Sequence, residues 1–363
     1  MTLRSASITL VLALLTTPVR AQTSAVSADK KNAPDNSPDI HKRVDSLPPA
    51  DVKQAIDLLR ANYLKPEALT DPELDRATLQ GILSRIAPGG QIVAPASPTD
   101  EGPSPFRAEI LDNRIGYLRL GSLSKSSIEG LDTALKNFAS KPLKAVILDL
   151  RATPPSNEFD LAAEVVKRFS PKGKILFTIR KPSAKQERIF TSDQDAMFHD
   201  LLVVLADRET SGASEVLLAA LRAHAKAMVV GQPTAGQAAE FADMPLTGGK
   251  VLRIAVAEIA LPDAVPIFPG GVKPDITVEI PDAQKRELMR QSLETGVSQT
   301  VSDIERPRMN EAALVAGKNP ELDALQAAQQ NKSPSKSALH DPVLQRAVDL
   351  ITSIGIFESR AKK

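Results

Sequence analysis

Residues 207–215 gather the side chains best suited to chemistry in this 363-residue chain: Asp207, Glu209, Thr210, Ser211, Ser214 and Glu215, set around Gly212. An apolar run of strand length, 201–205, stands before them, and an apolar run continuing a helix, 216–221, follows. A second strand-like run, 227–231, leads into a loop at 232–237 that ends in Gly236 and Gln237. A buried strand, a small-residue turn opening a helix, then a strand and a loop is the geometry of many nucleophile sites. The turn lifts a side chain above the sheet, and the helix N-terminus faces developing negative charge. Where that geometry wants a nucleophile, this chain offers Gly212.

The composition allows a folded α/β chain and narrows the chemistry. Apolar residues make up 42% and charged residues 25%, enough for one large domain or two modest ones. A formal net charge of +1, 3% aromatic residues and no Trp give no reason to expect a nucleic-acid partner. With no Cys there is no disulfide framework, no zinc–thiolate site and no cysteine nucleophile. His41, His199, His224 and His340 stand apart, without metal-ligand spacing, so no metal is expected.

Several elements must position the turn. Residues 1–21 read as a secretory signal peptide: Arg4, a short apolar core at 8–15, and small residues permitting cleavage after Ala21. The core is too short to span a bilayer, so a secreted or periplasmic location is expected. Residues 22–50 are polar and read as a disordered linker. Val52, Ile56, Leu59 and Tyr63 recur at helical spacing, as do Leu74, Leu79, Ile82, Leu83 and Ile86. These predict a helical unit over 51–90. A linker follows at 91–113. The α/β core runs over 114–282, with strands at 114–120, 145–150, 175–179, 201–205, 227–231, 251–259 and 275–280. Helices are expected at 126–139, 159–169 and after Gly212. A C-terminal helical extension over 283–363 has helices at 284–294 and 341–350, a short helical signal at 310–314 and a mobile insert at 317–337.

The order of these segments resembles the C-terminal processing, or tail-specific, serine proteases. Residues 115–120 are similar to that family's opening strand and 145–151 to its Leu-Asp-Leu-Arg strand. Residues 271–275 match its Gly-x-x-Pro-Asp signature, and 341–350 its closing helix. The resemblance covers about 51–357 and implies a crotonase-like α/β core with an N-terminal helical pair and C-terminal helices. It implies a polypeptide C-terminus as ligand, with no metal or cofactor. The family usually carries a PDZ domain between the helical pair and the core, gripping the substrate tail by strand addition. Residues 91–113 are too few for one, so they are expected to replace it.

The same resemblance shows where the chemistry departs. The family's nucleophile falls on Gly212, which has no side chain to form an acyl-enzyme. Its lysine base falls on Gln237, an amide that takes no proton near neutral pH, and a base-orienting Gln falls on Phe241. The oxyanion loop falls on 151–156, where Pro155 beside Ser156 has no N–H to donate. These residues read as an inactive member that binds peptide or regulates, with Gly212, Ala213 and Arg151 as possible peptide contacts. One alternative is an active endopeptidase using Ser211 or Ser214. One residue of shift turns a side chain by about 100° at a helix start, so capping of helix N–H groups is the simpler role for both. Lys226 and Lys250 are replacement bases only in principle. Another alternative is a structural partner of an envelope protein or an intact protease.

Overall fold

A computed structural model describes residues 38–94, 105–151, 153–262, 267–301 and 339–361. The expected signal peptide, most of the linker after it, the helical signal at 310–314 and the insert at 317–337 lie outside these residues. The chain divides into two compact units, Met1–Arg76 and Ala77–Lys363.

The first unit contains α1 (Pro38–Asp45), α2 (Pro49–Asn62) and the start of α3 (Asp71–Ile86). Helix α1 lies in the segment expected to be linker, and α2 also begins there, with Pro49 at its first turn. An exposed Arg60–Asp71 ion pair spans 2.6 Å. No residue of α2 is buried: Ile56 and Tyr63 are exposed and Leu59 is 54% exposed. The helical spacing of Val52, Ile56 and Leu59 thus falls within α2, and none of them is buried.

The second unit is built on a six-stranded sheet. It contains β2 (Arg107–Leu111), β3 (Ile115–Arg119), β4 (Ala145–Asp149), β7 (Leu201–Ala206), β8 (Met228–Gly231) and β11 (Ile276–Thr277). The order is β11-β8-β7-β4-β3-β2, parallel throughout except for the β2–β3 pair. Helices α4 (Lys125–Ala139), α5 (Phe159–Lys167) and α6 (Ala213–Ala225) pack on one face. Helices α7 (Asp282–Thr295) and α8 (Pro342–Ala361) pack on the other. Alternation along the strands produces these two cores. Leu118, Val146, Leu148 and Val204 point one way, and Tyr117, Ile147, Val203 and Leu205 the other. That explains the continuous apolar runs in the central strands.

An antiparallel sheet adds to the first core. It consists of β1 (Gly90–Val93), β5 (Ile175–Lys181), β6 (Gln186–Thr191), β9 (Ala239–Pro245) and β10 (Val251–Ala260). β10 pairs with β9 along one side and with β1 and β5 along the other. Strands β1, β2, β6 and β9 were not expected. The segment 91–113, expected as a linker, thus supplies a strand to each sheet. Each of these four strands is short and mixes polar with apolar residues, so its pairing depends on distant partners. Among the described residues no helix is long and apolar enough to cross a membrane.

Candidate active site

The turn at 207–212 leaves the end of β7 and opens α6, as its residue pattern predicts. Asp207 shapes it. Its Oδ1 accepts from the N–H groups of Glu209 and Thr210, both at 3.0 Å, the side-chain turn that Asp favours. Its Oδ2 takes Lys285 Nζ of α7 at 3.0 Å, and the same ammonium reaches Glu209 at 2.8 Å. Burial alone would lower the Lys285 pKa, but Glu209 and Asp207 hold it above the ordinary value. Lys285 therefore stays charged, as an anchor for the turn. The sequence offered no sign of it, because its partners lie far away along the chain.

Gly212 is the N-cap of α6, with φ +59° and ψ −125°. An L side chain rarely adopts that backbone. The space is also taken: a Cβ built there would lie 2.6 Å from the backbone oxygen of Ser156. That same carbonyl accepts a 2.9 Å hydrogen bond from Ala213 N–H. In an oxyanion hole of the nucleophile-elbow kind, the N–H following the nucleophile points at the substrate's carbonyl oxygen. Here an internal carbonyl occupies that donor.

Ser211 and Ser214 do not have the capping role expected of them. Both are buried, at 4% and 0% exposure, and neither Oγ has a hydrogen-bond partner. The first turn is capped by backbone instead. Ser214 N–H donates to Ser211 O, and Glu215 and Val216 N–H donate to Gly212 O. Thr153 Oγ1 and Ser156 Oγ are buried without partners as well. Lys226 is exposed at the C-terminal end of α6, a helix of 13 residues, so about 20 Å separates it from Gly212. Lys250 is exposed in the turn between β9 and β10.

The loop at 232–237 is tied to α6 through Glu215. This fully buried carboxylate accepts from Thr234 Oγ1, from Gly236 N–H at 2.7 Å and from Gln237 N–H at 2.6 Å. Burial pushes the Glu215 carboxyl up from its ordinary pKa, against the opposing effect of these donors. The structure thus brings Gly212 and Gln237 to one place, and Glu215 is the residue that joins them. The sequence reading gave Glu215 no connection to that loop. Phe241 is half-buried on β9, opposite Ala255 of β10. Pro155 is exposed, in a loop whose neighbour Ser156 closes over Gly212.

Arg151 is not available to a peptide. It is 1% exposed, and its guanidinium forks onto Asp149 and onto Asp341 at 2.8–3.0 Å. Asp149 also accepts from Tyr117 Oη at 2.7 Å, and Arg119 donates to Tyr117 and to Ser292. Asp341 caps α8 as well, accepting from the N–H groups of Val343 and Leu344. This network fastens the ends of β3 and β4 to both C-terminal helices. Its charges are paired, as buried charges must be.

The profile of Peptidase family S41 matches residues 114–278. Among curated relatives, a carboxyl-terminal-processing protease of Synechocystis sp. is 29% identical over 182 residues, covering 49% of this chain and 42% of that protein. A carboxy-terminal-processing protease of Bartonella bacilliformis is 30% identical over 179 residues, covering 48% and 41%. The matches therefore span less than half the length of either relative. Among solved structures, a photosystem II D1 C-terminal processing protease aligns with a TM-score of 0.40 and 26% identity, covering 46% of this chain and 42% of that one. The strands, the turn and the loop described above all lie within or beside the matched region. Over residues 114–278, less than half of its length, the chain is similar to peptidase family S41, and the curated relatives matched there are carboxyl-terminal-processing proteases.

Proposed function

We propose that this chain is a catalytically inactive member of the family, acting outside the cytoplasm as a peptide-binding or regulatory protein. One observation carries the reading: Gly212 has no side chain, and the Ser156 carbonyl fills the space where one would begin. Three further features support it. Gln237 supplies no base, Ala213 N–H is already engaged, and neither Ser211 nor Ser214 has a hydrogen-bonded base to activate it. The extracytoplasmic location rests on the signal-peptide pattern of residues 1–21. A polypeptide C-terminus is the ligand class the family scaffold suggests.

The test is a fluorophosphonate probe, which labels activated serines. No labelling above that of heat-denatured protein is expected. Labelling that disappears in Ser211→Ala or Ser214→Ala would establish the alternative, a relocated nucleophile.

A further inference from the structure

The first turn of α6 is closed by a segment from elsewhere in the chain. Ser214, Glu215 and Val216 N–H groups bond to oxygens of the turn itself, but Ala213 N–H bonds to Ser156 O, 57 residues earlier in the sequence numbering (213 − 156 = 57). The loop that provides this oxygen is lightly held. Pro154 and Pro155 have no N–H, and Pro154, Pro155, Asn157 and Glu158 are exposed. Phe159 N–H of the adjoining α5 donates to Asn157 O, and among the described residues the Ser156–Ala213 bond is the one backbone hydrogen bond that ties 154–157 to a sequence-distant element.

The turn, the first helical turn and the loop carry hydroxyls without hydrogen-bond partners. Ser211 Oγ and Ser214 Oγ, on nine-tenths-buried residues of the turn and first helical turn, have no partner, and neither does Ser156 Oγ in the covering loop. A buried hydroxyl without a partner is unfavourable, and several of them at one helix start are an opening for a ligand that satisfies them. Loosening the loop would free the Ala213 N–H at the positive end of a 13-residue helix, with Ser211 and Ser214 within two residues of it along the chain. The acid of that first turn, Glu215, has its oxygens engaged by Thr234, Gly236 and Gln237. Hydroxyl donors, a free N–H and a helix N-terminus together suit a carboxylate.

We propose that residues 153–158 form a latch over a carboxylate-binding site at the N-terminus of α6, and that a peptide's C-terminal carboxylate displaces the Ser156 carbonyl from Ala213 N–H. The ligand class rests on the inactive, peptide-binding reading above. The latch is an additional claim about how the site is reached.

Two variants open the latch from opposite sides. Pro154→Gly/Pro155→Gly loosens the loop, and Gly212→Ala places a methyl group against Ser156 O. The probe is a fluorescein-labelled unstructured decapeptide ending in a free carboxylate, compared by anisotropy with the same peptide amidated. Hydrogen exchange at Ala213 is followed in parallel. Loosening the loop should raise Ala213 exchange and tighten carboxylate-peptide binding about fivefold, the worth of one hydrogen bond, with no gain for the amide. Adding Ser214→Ala should remove the gain. Unchanged Ala213 exchange in both variants, or equal binding of the two peptides, overturns the latch. Cleavage of the decapeptide, seen by mass spectrometry, would instead overturn the inactive reading on which the latch rests.

Discussion

At the scale of single residues, Gly212 and Arg151 carry the argument in opposite directions. Placing a serine and a lysine where the resemblance implies the family's pair, Gly212→Ser/Gln237→Lys, should give no hydrolysis, because the new Cβ meets the Ser156 carbonyl at 2.6 Å. The serine should also destabilise the fold by about 1–3 kcal/mol through its positive φ, readable as a lower urea midpoint. Arg151→Met should cost about 3–5 kcal/mol, since it strands the Asp149 carboxylate in the interior. Burial pushes Asp149 up, but Arg151 and its other partners hold it below the ordinary carboxylate pKa. A depressed carboxyl stabilises the fold above the unfolded pKa of about 3.9, and the effect fades as pH falls through the folded value. Removing Arg151 should therefore move acid unfolding, followed by circular dichroism, to higher pH. Glu215 has the opposite sign. Its raised pKa means that the folded chain holds that proton more tightly, so stability falls as pH rises from about 4.3 towards the folded value. Carboxyl NMR should give Glu215 a midpoint above those of exposed glutamates, and a midpoint at or below theirs would contradict the buried clamp.

At the scale of elements, legibility in the sequence follows how locally each element is determined. Strands β4 and β7 are apolar on both faces, and α4, α5 and α6 have their helical spacing, so each shows in its own residues. Strand β6 is nearly all exposed and is held by its pairing with β5, which no local pattern displays. The site divides along the same line. The absence of a nucleophile and a base on which the proposed reading rests is visible as residue types at Gly212 and Gln237. The Ser156 carbonyl was hidden because every residue carries one, and only the fold says where it points. Lys285 was hidden by distance: an isolated basic residue on a polar helix reads as a solvated charge until α7 meets the turn. Lys285→Ala should strand the Asp207 carboxylate and speed hydrogen exchange at Glu209 and Thr210 with little change in the strands. In the core, Leu148→Ala should cost about 2–5 kcal/mol by equilibrium unfolding, the usual range for a large-to-small change at a fully buried site.

At the scale of the whole molecule, the region similar to peptidase family S41 contains the turn at Gly212 over which the Ser156 carbonyl closes. Both faces of its central sheet are covered, and a buried ionic network fixes the C-terminal helices to the strand ends. These features maintain the fold without requiring turnover. The departures that the resemblance implies gather instead where α6 begins and where the 232–237 loop meets it. The most direct measurement is incubation of the purified chain with an unstructured polypeptide, with fragments counted by mass spectrometry. The account predicts no fragments beyond those of a buffer control. Fragments that vanish in Ser211→Ala or Ser214→Ala would contradict it.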